Sequence, residues 1–357
     1  MTYILRFEDC REDDLVHVGG KCASLGGLLE AGLPVPPGFA VTTAAFTALL
    51  ATDGLGAQIH ADLEGLDTAD VDGLTDLSAR LRAEIEASPI PPAVEEAIRE
   101  AYAELGERTG GRDAPVAVRS SATAEDLPGA SFAGQQDTYL WVVGADSVLE
   151  HVRRCWSSLY TARAIAYRHD NGFAHEQVLM SVGVQRMVRA RAAGVAMTLN
   201  PANGDRSKIV IDSSFGLGET VVGGLVTPDN FVVDKVILDV VKRTISPKHV
   251  ELVADPAERR VVERPIEAER QLEPSLTLEE VKAVARLAKL AEQHFGCPQD
   301  IEWALDPELG AGSEVVLLQS RPETVWSRAE PPAARYETGL AGVLSTLMNP
   351  LAAKKSD

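Results

Sequence analysis

The chain has 357 residues, 45% hydrophobic and 24% charged, enough to bury a large core and more than one simple domain usually holds. Lys and Arg total 34 against 53 Asp and Glu, a formal net charge of −19. That balance argues against a general nucleic-acid binder and against docking on anionic membranes, both of which rest on neutralising phosphates. A polyanion would have to be held in a local pocket of cations, against the field of the whole chain. No apolar run is long enough to span a bilayer, and the start, MTYILRFEDCREDD, lacks the basic-then-apolar pattern of a secretory signal. Cys10, Cys22, Cys155 and Cys297 are scattered, which suits reduced thiols in a cytoplasm better than disulfides or a zinc site.

Thr2–Phe7 alternates like an edge strand. In the stretch that follows, Gly19-Gly20 reads as a turn, and Ala23, Leu25, Leu28 and Leu29 have helical spacing. Lys21 therefore lies near a helix start, where it can hold phosphate. The full G-x-x-x-x-G-K-[ST] pattern is absent, so a P-loop is not supported, and a solvated lysine is the competing reading. Gly32–Thr43 is a stiff Pro-rich turn entering a strand. Residues 44–112 read mainly as helices, Ala44–Leu50, Leu74–Ala87 and Ala93–Arg108, with no functional signal.

The most informative stretch is 115–141, PVAVRSSATAEDLPGASFAGQQDTYLW. Pro115–Val118 is a short apolar run like a buried strand, with Arg119 at the point where it emerges. Ser120–Asp137 is rich in Ser, Thr, Ala and Gly, and a strand resumes at Thr138–Val143. Small residues let backbone N–H groups approach an anion, and an arginine supplies a planar fork for phosphate oxygens. A lid over a polyphosphate fits this composition, and an ordinary polar hairpin loop competes with it.

Ser147–His169 has the spacing of one core-packing helix. Val178–Val188 is a strand with Gln185 and Met187 near its end, and further strands are expected at Ala193–Leu199, Lys208–Ser213 and Asn230–Val241, the last a hairpin-like run. Phe215–Gly224 is a glycine-rich turn carrying Glu219 and matches no dinucleotide fingerprint. Thr277–Phe295 is an amphipathic helix ending at Gly296. Pro298–Leu305 alternates so that Asp300, Glu302 and Ala304 share a face, and Glu314–Gln319 forms the other arm of a hairpin ending in Ser320-Arg321-Pro322. Paired across it, Glu302 and Gln319 can supply oxygens to magnesium, with Arg321 reaching phosphate. Plain cross-strand Glu–Arg support is the alternative. In 329–357, Leu340, Val343, Leu344 and Leu347 fit one short amphipathic helix.

Four stretches together resemble one family: VGGKCASLGGLLEAGLPVPPGFAVTT (18–43), VAVRSSATAEDLPGASFAGQQDTYL (116–140), SSFGLGETVVGGLVTPDNFVV (213–233) and DIEWALD with LLQSRPETVW (300–326). They resemble the N-terminal ATP-binding region of phosphoenolpyruvate synthase, pyruvate phosphate dikinase and rifampin phosphotransferase. The resemblance implies an α/β (α+β) ATP-grasp fold whose two lobes close on the nucleotide. The lobes would be 1–182, with a helical insertion, and 183–328, followed by a tail, 329–357, able to dock on a partner. It further implies that Lys21 and Arg119 bind phosphates, that Glu302 and Gln319 hold magnesium, and that Arg321 reaches the phosphates. Thr123, Ser131, Gly134 and Gln135 would cover the triphosphate, and Gln185, Met187 and Val188 would line the adenine pocket largely through backbone groups. Glu219 would touch ribose or serve as structural support. Lys21, Arg119 and Arg321 would be catalytic through positioning and charge neutralisation.

The family carries its catalytic histidine in a Gly-Gly-x-x-[ST]-His type of motif, and none of the seven histidines here has that context. The expectation is therefore a separate phosphohistidine-carrying subunit, as in two-subunit phenylphosphate synthase and 4-methylbenzyl phosphate synthase. ATP would give AMP and phosphate, and the β-phosphoryl would pass through the partner to a phenol or benzylic alcohol. Two other readings stand beside it: the N-terminal part of a longer phosphoenolpyruvate synthase-like or rifampin phosphotransferase-like enzyme, and a non-catalytic nucleotide-sensing module.

Overall fold

A computed structural model describes residues 2–111, 113–123, 137–255, 257–310 and 314–326. The first sheet contains β1 (Ile4–Arg6), β2 (Gly38–Val41), β3 (Val116–Ala122), β4 (Thr138–Val142) and β5 (Met180–Arg186), in the order β1-β2-β5-β3-β4 with every pairing antiparallel. β5 is central and buried from Met180 to Gln185, which is why its sequence is a continuous run of apolar and small residues. β6 (Ala192–Met197), β7 (Lys208–Phe215), β8 (Asp229–Asp234) and β9 (Val240–Thr244) belong to the second sheet. A hairpin of β10 (Val250–Asp255) and β11 (Arg260–Pro265) intervenes, and β12 (Gln299–Leu305) and β13 (Val315–Pro322) complete the order β13-β12-β6-β7-β8-β9. The architecture is mixed α/β.

The helices are α1 (Leu15–Glu30), α2 (Thr43–Leu50), α3 (Leu55–Leu63), α4 (Val71–Ala87), α5 (Pro92–Arg108), α6 (Ala145–Ser157), α7 (Ala162–Asp170), the short α8 (Glu219–Val222) and α9 (Leu278–Phe295). α2 to α7 bury Phe46, Leu49, Leu81, Ile98 and Trp156 against Val118, Val182 and Val184 of the first sheet. Val281, Val284, Ala285 and Ala288 of α9 pack on Ile211, Phe231 and Ile301 of the second sheet, in a core that also takes in Cys22, Leu25 and Leu28 of α1. Thr277 and Glu280 form a capping box at the start of α9, and Gly296 ends it in the left-handed conformation at φ 70°.

α1 packs against β3, β5 and β13, so it ties the two sheets together. Its chain path depends on Gly19, whose φ of 70° and ψ of 169° break the helix. A Cβ there would lie 2.1 Å from the Ser121 carbonyl oxygen. Ser121 Oγ donates to the Val18 carbonyl (2.8 Å) and accepts from the Cys22 N–H (3.3 Å), so β3 caps the restarted helix.

Two expectations from periodicity need correction and one holds. The single helix expected over Ser147–His169 is two, because Thr161 is extended and caps α7 by accepting from the Ala164 N–H at 3.2 Å. The run Asn230–Val241 is a hairpin, as expected, with β8 paired to β9 and Asp234 accepting from Val236 and Ile237 in the turn between them. The strand over Val178–Val188 is shorter, Met180–Arg186, and it crosses the expected boundary at 182 while pairing with β2 and β3. Residues 1–322 form one compact unit and 323–357 a second, of which only 323–326 are described. The helix expected around Leu340–Leu347 lies outside the described residues. Among the described residues no helix is long and apolar enough to cross a membrane.

Candidate nucleotide site

Strands of both sheets line a cavity of about 500 Å³. Its polar end is built by β3, β12 and β13. Arg119 is the one residue of β3 that is not fully buried, because its side chain leaves the first sheet for the second. Its Nη1 donates to the Leu318 carbonyl (3.1 Å), and its Nη2 donates to both Glu302 Oε2 (2.6 Å) and Gln319 Oε1 (3.1 Å). Glu302 and Gln319 sit opposite each other in the β12–β13 register, as the alternation predicts, with a bulge immediately after Glu302. Lys21, at the restart of α1, donates from Nζ to the Ser120 carbonyl at 2.9 Å. At the rim, Arg321 donates to Asp300 Oδ2 through both Nε (3.0 Å) and Nη2 (2.8 Å).

These charges are coupled. Burial alone would push the Glu302 carboxyl up, but the charge and hydrogen bond of Arg119, with Lys21 and Arg321 behind them, hold it below its ordinary value. The Glu219 carboxyl goes the other way. Burial raises it, Arg119 opposes the rise only in part, and Glu302 adds to it. One end of the cavity thus holds cations with one firmly ionised carboxylate, and a second carboxylate is reluctant to ionise.

The other end is apolar. Ala117, Leu140, Met187 and Leu217 line it, and Trp141 is buried behind them at φ 56°, a left-handed residue in an irregular part of the β3–β4 pairing. Leu217 is fixed by its N–H, which donates to the Leu252 carbonyl of the β10–β11 hairpin at 2.8 Å. Beside them the N–H groups of Arg186 and Met187 are engaged by the Pro37 and Pro115 carbonyls, at 2.9 Å each. A flat apolar slot next to a cationic cluster suits a planar base carrying a polyphosphate.

Of the residues singled out in sequence, Lys21, Arg119, Gln185, Met187, Val188, Glu219, Glu302, Gln319 and Arg321 all line this one cavity. Thr123 does not: its hydroxyl and N–H are both spent on the Leu179 backbone, at 3.3 Å and 3.1 Å. Ser131, Gly134 and Gln135 lie outside the described residues. Sequence reasoning missed the apolar wall, since Ala117, Leu140 and Leu217 read as ordinary core. It also missed the partner role of Asp300, although Asp300 lies directly opposite Arg321 in the hairpin.

Residues 15–339 match the family described as pyruvate phosphate dikinase, AMP/ATP-binding domain. The chain belongs to this family. It is 45% identical to a probable phosphoenolpyruvate synthase of Staphylothermus marinus, over 95% of this chain and 43% of that protein. It is 44% identical to the phosphoenolpyruvate synthase of Aeropyrum pernix, over 92% of this chain and 43% of that protein. For the phosphoenolpyruvate synthase of Deinococcus radiodurans the identity is 43%, over 96% of this chain and 44% of the relative. The chain therefore spans less than half the length of these relatives.

This domain of the dikinase family corrects one expectation. In the matched relatives the ATP-binding region is part of a single long chain, so a separate phosphohistidine-carrying subunit does not follow. These relatives are named as phosphoenolpyruvate synthases, and a specific closeness to the two-subunit phosphate synthases of aromatic compounds is not shown. The metal expectation rests on the donor set. Among the described residues no group of three or more His, Cys, Asp or Glu side chains converges. Glu302 and Gln319 nonetheless aim one oxygen each at a single cationic nitrogen of Arg119, which is the convergence a hard cation with further phosphate and water ligands requires.

Proposed function

We propose that the cavity binds ATP as its magnesium complex, as the ATP-binding region of a phosphoenolpyruvate synthase-like phosphotransferase. The observation that carries this reading is the meeting of Lys21, Arg119, Glu302, Gln319 and Arg321 at one end of a cavity whose other end is an apolar slot. The base would lie against Met187 and Leu217 near the Val188 N–H, and the phosphates would extend toward Lys21, Arg119 and Arg321. Glu302 and Gln319 would hold the magnesium ion, which would neutralise phosphate charge when bound. The two sheets would act as the lobes of an ATP-grasp clamp, and the residues here would contribute positioning and electrostatics rather than covalent chemistry.

The reaction we infer is of the dikinase type, ATP to AMP and phosphate, with the β-phosphoryl carried on a histidine of the longer enzyme. Phosphoenolpyruvate, the product in the relatives' names, replaces the aromatic phosphate as the product favoured. A cytoplasmic location accords with that chemistry. The test is calorimetric titration of this chain with magnesium-ATP, together with Arg119→Ala and Arg321→Ala. Each charge-assisted contact is worth about 1.5–3 kcal/mol, so each variant should bind roughly 10- to 100-fold more weakly with an unchanged circular dichroism spectrum. Wild-type affinity in both variants would sink the site assignment, and ADP as the product of the full-length enzyme would sink the dikinase chemistry.

A further inference from the structure

Arg119 Nη2 bridges two side chains of the second sheet. It stands 2.6 Å from Glu302 Oε2 and 3.1 Å from Gln319 Oε1, at the point on which both oxygens converge. A divalent cation bound by those same two oxygens would stand within a few ångströms of the guanidinium, roughly 2.1 Å from each oxygen, so like charges oppose each other and the cation and the guanidinium compete for the pair. The neighbouring cations have other partners: Lys21 holds the Ser120 carbonyl and Arg321 is paired with Asp300. Glu302 is only 26% exposed, and losing its positive partner would cost such a largely buried carboxylate part of its charge compensation.

We propose that Arg119 is a placeholder cation that enforces the order of binding. It keeps a free divalent cation off Glu302 and Gln319, and it releases those oxygens when a polyphosphate arrives to take the guanidinium. The handover is chemically even, because an arginine fork satisfied by a carboxylate and two carbonyl oxygens is equally satisfied by phosphate oxygens. The carboxylate is never left without a positive partner, since the ion that comes in with the phosphates replaces the one that leaves. The consequence is a site with little affinity for the bare metal and high affinity for the metal–nucleotide complex. The inference rests on the nucleotide reading above, but it can fail separately from it.

The experiment is electron paramagnetic resonance titration of the full chain with Mn²⁺ in the absence of nucleotide, in which the spectrum of free Mn²⁺ gives the bound ions by difference. Wild type is compared with Arg119→Gln, with Arg119→Lys, and with the double variant Arg119→Gln/Glu302→Gln. Removing the placeholder should tighten Mn²⁺ binding at least tenfold in Arg119→Gln while ATP binding weakens by a similar factor. The double variant should lose the gain, which assigns it to Glu302. Arg119→Lys, which keeps the charge but lacks the second nitrogen that anchors the group on the Leu318 carbonyl, should fall between and covers the case in which the glutamine variant does not fold. Mn²⁺ binding in the folded arginine variants that is equal to or weaker than wild type overturns the proposal. Failure of the wild-type chain to bind ATP would instead overturn the nucleotide reading, whatever the Mn²⁺ titrations show.

Discussion

At the scale of single residues, burial decides which ionisable groups can do chemistry. Arg168 is 1% exposed and donates from Nε to His175 Nδ1 at 3.0 Å, while its guanidinium lies 5.6 Å from the Tyr160 ring centre. Burial, and then the charge of Arg168, push the His175 imidazole down to about 4 from its ordinary 6.5. The contact with Arg168 requires a lone pair on Nδ1, so it exists only for the neutral ring. An unfolded chain takes up this proton below pH 6.5 and the folded one does not until about pH 4, so stability falls as pH drops through that window and levels off beneath it. For this half-buried ring the effect should be about 1–2 kcal/mol. Thermal melts between those limits should show a shallower pH slope for His175→Gln than for wild type, and parallel slopes would contradict the argument.

At the scale of elements, two devices hold the site's walls. The first is Gly19, where the chain turns between the ends of α1 and presents Lys21. Because a Cβ would strike the Ser121 carbonyl as well as sit at positive φ, Gly19→Ala should destabilise by about 3 kcal/mol or more and weaken nucleotide binding with it. Chemical denaturation paired with ATP titration checks both. The second is the fully buried pair of Lys248 and Asp229, 2.6 Å apart, in which Asp229 also accepts from the Ser246 N–H and from the N–H and hydroxyl of Ser275. This knot fixes the connecting segments before and after the β10–β11 hairpin, and that hairpin supports Leu217 in the apolar slot. Lys248→Met would leave a buried carboxylate without its cation, and urea unfolding should show a loss of about 3–5 kcal/mol.

At the scale of the whole molecule, the site draws from both sheets, so a ligand that contacts both should tie them together. Saturating magnesium-ATP at about 100 times its dissociation constant should add about 2.7 kcal/mol, seen as a rise of several degrees in melting temperature. ADP or AMP should add less, because they leave some of the cationic cluster without phosphate. Equal shifts from all three would mean that the base alone drives binding. The net charge of −19 makes this site a cationic exception within an acidic molecule, so added salt should weaken nucleotide binding less steeply than it would on a basic surface.

The sequence by itself determined the local rules: Gly19-Gly20 before Lys21, the emergence of Arg119 from a buried strand, and the opposition of Glu302 and Gln319 across a hairpin. Each follows from backbone geometry within a few residues, and the four resembling stretches carried the family. Tertiary structure decided the rest. Nothing in the periodicity of Ala117, Leu140 or Leu217 distinguishes a slot from a core, because both demand apolar side chains. Thr123 looked as suited to phosphate as its neighbours, yet Leu179, 56 residues away, takes its hydrogen bonds. That one nitrogen of Arg119 holds both Glu302 and Gln319 is a contact across about 200 residues of chain, and only the packing of one sheet against another can make it.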